Sequence, residues 1–325
     1  MKKVLVTGGA GYIGAHTVHR LIERGYDPIV VDNLSKGHRH NVDARRLQEL
    51  DITDTEALAR LMASEGVTSV VHFAAFIAVG ESTREPERYF SNNVGGSLSL
   101  LSAMQRAGVR RLVFSSTAAV YGTPERSPIT EDLPFAPVSP YGESKAMVEK
   151  VLGWLDQHRG LRSVSLRYFN ACGAEPNSGL GEEHDPETHL IPLLLRAVRT
   201  GQPITVFGED YPTPDGTCIR DYIHVSDLAE AHILAVEHLI GGGGSDAFNA
   251  GTGTGHSVRD VMGAVEEVTG SKAPFVAGPR REGDAAVLVA DSSRLQAALK
   301  WKPRYTELRD IVRTAYDFEH RRSVR

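Results

Sequence analysis

The sequence predicts an α/β protein built on a doubly wound parallel sheet, followed by a smaller, irregular C-terminal region. Three observations carry this. Short apolar, β-branched runs alternate with segments of helical period through the first half of the chain. A glycine-rich turn joins the first run to the first helical segment. After about residue 170 the rhythm breaks into loops rich in Gly, Pro, Glu and Asn. The expected boundary is therefore soft, with residues 1–170 as one unit and 171–325 as another whose elements interleave with the sheet.

Lys3 to Thr7 is the first apolar run and reads as a buried strand. Residues 12–24 then place Ile13, Val18, Leu21 and Ile22 at helical spacing. Further strands are expected at 28–32, 69–73 and 111–115, with helices at 56–62 and 96–105 between them. Strands and helices in this order give a parallel sheet covered on both faces, through right-handed crossovers. Ser139-Pro140 reads as a helix start, because proline suits the first turn. Beyond it, helices are expected at 189–200, 227–239, 257–269 and 306–318, and short strands near 204–207, 246–249 and 286–290. Residues 175–189 and 211–216 read as loops, and Gly241 to Ser245 as a flexible connection from helix to strand.

The chain has 325 residues, 41% hydrophobic and 24% charged, which is ample ordinary globular material for a core and excludes intrinsic disorder. Net charge is −5, from 36 Lys+Arg against 41 Asp+Glu, so nucleic acid is not an expected partner. Lys2-Lys3 before Val4-Leu5-Val6 resembles the start of a signal peptide, but the apolar run stops at Thr7-Gly8-Gly9. No stretch approaches the roughly 18 apolar residues of a membrane span, so no membrane association is expected. Cys172 and Cys218 cannot build a disulfide framework and have no partners at metal-ligand spacing. No metal is expected, and a cytoplasmic location is.

The turn Thr7-Gly8-Gly9-Ala10-Gly11-Tyr12-Ile13-Gly14 carries glycines 8, 11 and 14 at G-x-x-G-x-x-G spacing. With 32 glycines in the chain that spacing arises by chance often enough that its position is the stronger signal. It follows a strand and opens a helix, whose free N–H groups and positive dipole end suit a pyrophosphate. Asp32 ends the second strand, where a carboxylate accepts hydrogen bonds from both hydroxyls of an adenosine ribose and repels a 2′-phosphate. NAD is thereby favoured over NADP, with Lys36 and Arg39 keeping the second option open. Asp51, expected at the end of a third strand, has two readings, an adenine contact or the cap of the next helix.

Tyr141 and Lys145 form a Y-x-x-x-K pair, which shares one face if helical. Upstream, the strand from Arg111 runs into Ser115-Ser116-Thr117, which places hydroxyls at the carboxyl edge of the sheet, where ligands bind. The pair reads as an acid/base device. A free tyrosine has a pKa of about 10, and a neighbouring ammonium and a positively charged nicotinamide both favour the phenolate, so the pKa is expected to fall. The phenolate then takes a proton from a substrate alcohol that Thr117 hydrogen-bonds.

Together these residues resemble the extended short-chain dehydrogenase/reductase family of nucleotide-sugar enzymes, and within it the UDP-hexose 4-epimerases. The resemblance spans essentially the whole chain, through Thr7 to Gly14, Asp32-Asn33-Leu34, His72-Phe73-Ala74-Ala75, Val79-Gly80-Glu81-Ser82, Asn92-Asn93-Val94, Ser115 to Gly122, Ser139 to Lys145, Leu166 to Asn170, Thr188 to Pro192, Phe207 to Val225 and Arg280 to Asp284. It implies a Rossmann domain for NAD, a C-terminal region for the UDP-sugar and a homodimer. Tyr141 would be the acid/base, Lys145 would lower its pKa and hold the nicotinamide ribose, and Thr117 would bond the sugar hydroxyl. Gly8, Gly11, Tyr12, Ile13, Gly14, Asp32, Asn33, Leu34, Ser35, Lys36, Gly37, Asp51, Ile52, Phe73, Ala74, Ala75, Asn92 and Tyr168 would line NAD. Asn170, His189, Leu190, Phe207, Arg220, Arg281 and Asp284 would hold UDP, the guanidinium forks matching phosphate oxygens.

Three positions depart from parts of that family. Ile77 stands where some members have Lys near the nicotinamide, and His189 where some have Asn beside uracil. Leu288 stands where residue size governs room for a C2 N-acetyl group, and its intermediate size leaves N-acetylhexosamines open beside hexoses. UDP-pentoses stay open too. A 4,6-dehydratase or a decarboxylase is disfavoured, because Ala118 and Ala119 follow Thr117 where those enzymes carry acidic residues. A dinucleotide-binding scaffold would have no use for Tyr141 and Lys145 together.

Overall fold

The computed structural model describes residues 1–323 except 177 and 282, so one residue of the segment 280–284 lies outside it. Strand β1 (Lys3–Thr7) lies between β2 (Asp27–Asp32) and β4 (Val67–His72), with β3 (Leu47–Glu49) at the edge beyond β2. Alternate residues of a strand face opposite sides. Val4 and Val6 accordingly enter the core on one face of the sheet and Leu5 the core on the other, all fully buried. β5 (Arg111–Thr117) and β6 (Arg162–Tyr168) extend the sheet past β4.

Helices α1 (Tyr12–Glu23) and α2 (Thr55–Glu65) make the first crossovers. Between β4 and β5 the chain forms two short helices, α3 (Val79–Arg84) and α4 (Pro86–Tyr89), a π-helical stretch (Phe90–Gly95) and α5 (Gly96–Ala107). Helix α6 (Pro140–Arg159) starts where the sequence places it: Ser139 Oγ accepts from Gly142 N at 3.2 Å and Pro140 occupies the first turn.

Beyond β6 come β7 (Asn170–Cys172), α7 (Leu190–Thr200), β8 (Ile204–Phe207), β9 (Ile219–His224), α8 (Val225–Ile240) and β10 (Asp246–Ala250). The main sheet has seven parallel strands in the order β3-β2-β1-β4-β5-β6-β10. The expected strand at 246–249 is thus the seventh strand of the first sheet, paired with β6. On one face Val18 and Leu21 of α1 and Ile233 and Val236 of α8 pack with Phe248 and Trp301. On the other, Leu58 and Met62 of α2, Leu100 and Met104 of α5 and Val148 and Leu152 of α6 do the same. Strand order reverses between β1 and β4, which opens a crevice at their carboxyl ends.

The remaining elements are β11 (Gly255–Ser257), α9 (Val258–Thr269), β12 (Phe275–Gly278), β13 (Val287–Leu288), α10 (Ser293–Leu299) and α11 (Leu308–Ser323). β9 pairs with β7, β11 and β13, and β8 with β12. A separate core, with Ile191, Leu194, Val206, Val261, Val265, Ile311 and Val312, lies beneath these small sheets. The strand expected at 286–290 shrinks to two residues, because β13 meets β9 only at Ile219 and Arg220. Among the described residues no helix is long and apolar enough to cross a membrane.

Candidate active site

The glycine turn lies at the carboxyl end of β1. Gly8 adopts φ +71°, and a Cβ there would sit 2.6 Å from Ala74 N, while one on Gly14 would sit 2.2 Å from Gly8 O. The turn and helix are therefore packed backbone on backbone. Helix α1 begins with no side-chain cap and no acidic residue in its first turn, which leaves its N–H groups for an anion. Asp32 ends β2 beside the turn, accepting from Ala10 N at 3.0 Å and Leu34 N at 2.8 Å. This cradle fits a dinucleotide.

The loop after β2 packs around the same turn. Asn33 Nδ2 donates to Asp51 at 2.7 Å, Ser35 N donates to Asn33 at 3.1 Å, and a Cβ on Gly37 would strike the Asp32 carboxylate. Lys36 reaches away, to Asp185 O at 3.0 Å. Asp51 lies beyond the end of β3 and bonds Thr53; the cap of α2 is Asp54, which accepts from Ala57 N at 2.9 Å. The capping reading of Asp51 is thereby corrected: Asp54, three residues nearer the first helical turn, is the one that reaches its N–H groups. Ile52 is buried against Gly96, and Phe73, Ala74 and Ala75 follow β4 beside Gly8. Asn92 lies in the π-helical stretch and donates to Asn93 at 2.9 Å.

Tyr141 and Lys145 lie on the buried side of α6, 7% and 3% exposed, facing the end of β5. Lys145 Nζ donates to Ser115 O at 2.8 Å. Ser115 Oγ and Tyr168 Oη share a hydrogen bond of 2.6 Å, and burial pushes the Tyr168 phenol up to about 12. Thr117 ends β5, and its Oγ1 accepts from Ala119 N at 3.1 Å.

A second group of side chains gathers on the small sheets. Arg220 and Leu288 are register partners on β9 and β13, and Asn170 on β7 is paired with Tyr222 of β9. Arg220 donates to Asp284 Oδ1 at 3.0 Å, and Asn170 Nδ2 to Asp221 O at 2.9 Å. The Arg281 guanidinium lies over the Phe207 ring, 4.1 Å from its centroid. His189 precedes α7, whose first residue is Leu190, and turns its Nδ1 to Glu182.

Residues 4–251 match the model of the NAD dependent epimerase/dehydratase family. The chain belongs to that family. A UDP-glucose 4-epimerase of Lacticaseibacillus casei is 47% identical over 97% of this chain and 96% of its own. Two crystal structures superpose over nearly all of both chains. A UDP-glucose 4-epimerase from Brucella ovis in complex with NAD has TM-score 0.94 and 46% identity, covering 97% of this chain and 98% of that one. One from Bifidobacterium longum in complex with NAD+ and UDP has TM-score 0.92 and 36% identity, covering 99% of each.

The expected fall of the Tyr141 pKa is tied to a positively charged nicotinamide as well as to the ammonium, and the protein's own groups act against it. The Tyr141 pKa does not fall in the protein alone. Burial pushes it well up and the nearby Tyr168 and Tyr89 add to that, while only a hydrogen bond with Thr117 pulls it down. Burial also pushes Lys145 down to about 7, against the pull of Glu149, so the ammonium is itself weakened.

Sequence reasoning gave no role to several buried polar residues that tie these elements together. Buried Asn93 donates to Phe76 O at 3.0 Å and to Ser144 Oγ at 3.1 Å, and accepts from Phe76 N, tying the strand β4 exit to α6. His72 bridges Thr7 and Ser97 at 2.7 and 2.9 Å. Ser144 sits inside the Y-x-x-x-K segment itself, and the doubled Asn92-Asn93 was the other visible signal. Ile77, in contrast, is exposed at 44%.

Proposed function

We propose that this protein interconverts UDP-glucose and UDP-galactose by NAD-dependent inversion at C4. The observation that carries the reading is the convergence of Tyr141, Lys145 and Thr117 on the carboxyl end of β5, in a sheet whose β1 exit carries the dinucleotide turn. Strong likeness to UDP-glucose 4-epimerases over the full chain supports it.

Gly8, Gly11 and Gly14 and the first turn of α1 would hold the pyrophosphate, and Asp32 the adenosine ribose. When bound, NAD supplies the hydride acceptor and donor for C4. Tyr141 removes the 4-hydroxyl proton at its Oη and returns it after the sugar has presented its other face, with Thr117 orienting that hydroxyl. Lys145, buried between Ser115 O and the phenol's face of α6, holds the nicotinamide ribose. Arg220 and Arg281 grip the diphosphate, and Asn170, His189, Leu190, Phe207 and Asp284 the uridine, so that only the sugar ring is free to turn. Ala118 and Ala119 carry no group able to move a proton, which disfavours elimination at C5 and C6. The reading includes an NAD unit in 1–170, a UDP-sugar unit in 171–325, a homodimer and a cytoplasmic location.

Incubation with UDP-galactose, UDP-GalNAc and UDP-arabinose separately, followed by product separation, tests it. UDP-glucose should accumulate from UDP-galactose. Conversion of none of the three would remove the assignment.

A further inference from the structure

Two E-x-H units, Glu182 with His184 and Glu187 with His189, close on one point in the loop before α7. His184 Nδ1 lies 3.0 Å from Glu182 Oε1 and 3.8 Å from Glu187 Oε2. His189 Nδ1 lies 2.7 Å from Glu182 Oε1 and 3.1 Å from Glu187 Oε1. One ligand atom from each of the four residues lies within 4.8 Å of all the others. We propose that these four side chains bind one divalent transition-metal ion of the zinc type.

Geometry, charge and donor chemistry agree on this. Four N and O ligands at tetrahedral distances of about 2.0–2.2 Å from a zinc ion stand roughly 3.3–3.6 Å from one another. The His-to-Glu separations of 2.7 to 3.8 Å lie around that value, with Glu187 meeting His184 through Oε2 and His189 through Oε1, so side-chain adjustment alone would bring one atom from each residue, already within 4.8 Å, onto one ion. Both imidazoles turn the same nitrogen, Nδ1, to the centre. The Glu182 and Glu187 side chains are only 6% and 11% exposed, and two carboxylates so placed repel unless positive charge stands between them. Two imidazole nitrogens with two carboxylate oxygens suit zinc, whereas calcium and magnesium prefer all-oxygen shells of six or more.

The site's position gives it a purpose. The His184 ring meets the Tyr12 ring edge-on at 6.0 Å, and the neighbouring loop backbone is held by Lys36 at Asp185 O and His38 at Glu183 O. An ion here would pin the loop to the dinucleotide turn and leave His189 Nε2 for another partner. The sequence reading expected no metal because it tested the cysteines alone; the repeated E-x-H lies in a loop, where no helical spacing announces it.

The test uses the holoenzyme, treated with a chelator and then titrated with cobalt chloride and zinc chloride. Cobalt should bind at one ion per chain with the intense visible absorption of a four-coordinate site, and zinc should displace it. His184→Ala, and the milder Glu187→Gln, should each weaken binding at least about tenfold. Circular dichroism confirms that each variant is folded. Absence of stoichiometric uptake by the unaltered protein, or unchanged uptake in a folded variant, would overturn the proposal, whatever the epimerase assay shows.

Discussion

Tyr141→Phe is expected to lower turnover of UDP-galactose by about 10²–10⁴-fold, the range a positioned general acid/base contributes. The substitution removes one oxygen and keeps the buried ring on α6's inner face, so stability and NAD content should stay close to those of the unaltered protein. The phenol is 7% exposed, so bulk water has little access to replace it as proton acceptor. Burial favours the neutral phenol in the protein alone. The substitution removes the group that acts on the reacting hydroxyl, so the loss should be in turnover rather than in KM. Steady-state rates with a melting curve on the same preparation check this. Turnover within a few-fold of normal in a folded, NAD-loaded variant would exclude Tyr141 as the proton carrier.

Arg167→Ala is expected to destabilise the fold by about 3–5 kcal/mol, as when one partner of a buried ion pair is removed. Arg167 on β6 and Glu149 on α6 are 8% and 6% exposed. The guanidinium donates Nε at 3.0 and 3.1 Å and one terminal nitrogen at 2.7 Å to the carboxylate, and its other terminal nitrogen at 2.8 Å to Tyr121 Oη. Tyr121 Oη donates in turn to Asn249 Oδ1 at 2.7 Å, so the network links α6, β6 and β10. Without Arg167, Glu149 would keep only the Ser116 hydroxyl among its described hydrogen-bond donors and would be a charge stranded in the interior. Because Ser116 precedes Thr117 directly, activity should decline with stability. Urea unfolding measures the loss, and a change below about 1 kcal/mol would mean that the carboxylate finds water or another partner.

The first half of the fold was legible because its local signals agree. In β1, Val4, Leu5 and Val6 are all buried, as a strand covered on both faces demands, and Gly8 to Gly14 follow where the first strand turns into the first helix. Ser139 and Pro140 fixed the start of α6, and the i, i+4 spacing put Tyr141 and Lys145 on one face. What stayed hidden depends on distant pairing. Nothing in Asp246 to Ala250 announces that it adds to β6, some 80 residues earlier, nor that Asp221 of β9 accepts from Thr252, Gly253 and Ala290 to bind three segments together. The surroundings of Tyr141 stayed hidden for a related reason. Sequence shows a lysine four residues away, but not that both groups are buried or that the ammonium is committed to Ser115 O.

The most direct measurement is a crystal structure of the protein with NAD and UDP-glucose bound. Tyr141 Oη should lie within roughly 2.6–3.2 Å of the sugar's 4-oxygen, with C4 facing the nicotinamide and the diphosphate against Arg220 and Arg281. A sugar whose C4 stands beyond reach of Tyr141, or a phenol turned away from the nicotinamide, would contradict the proposed chemistry.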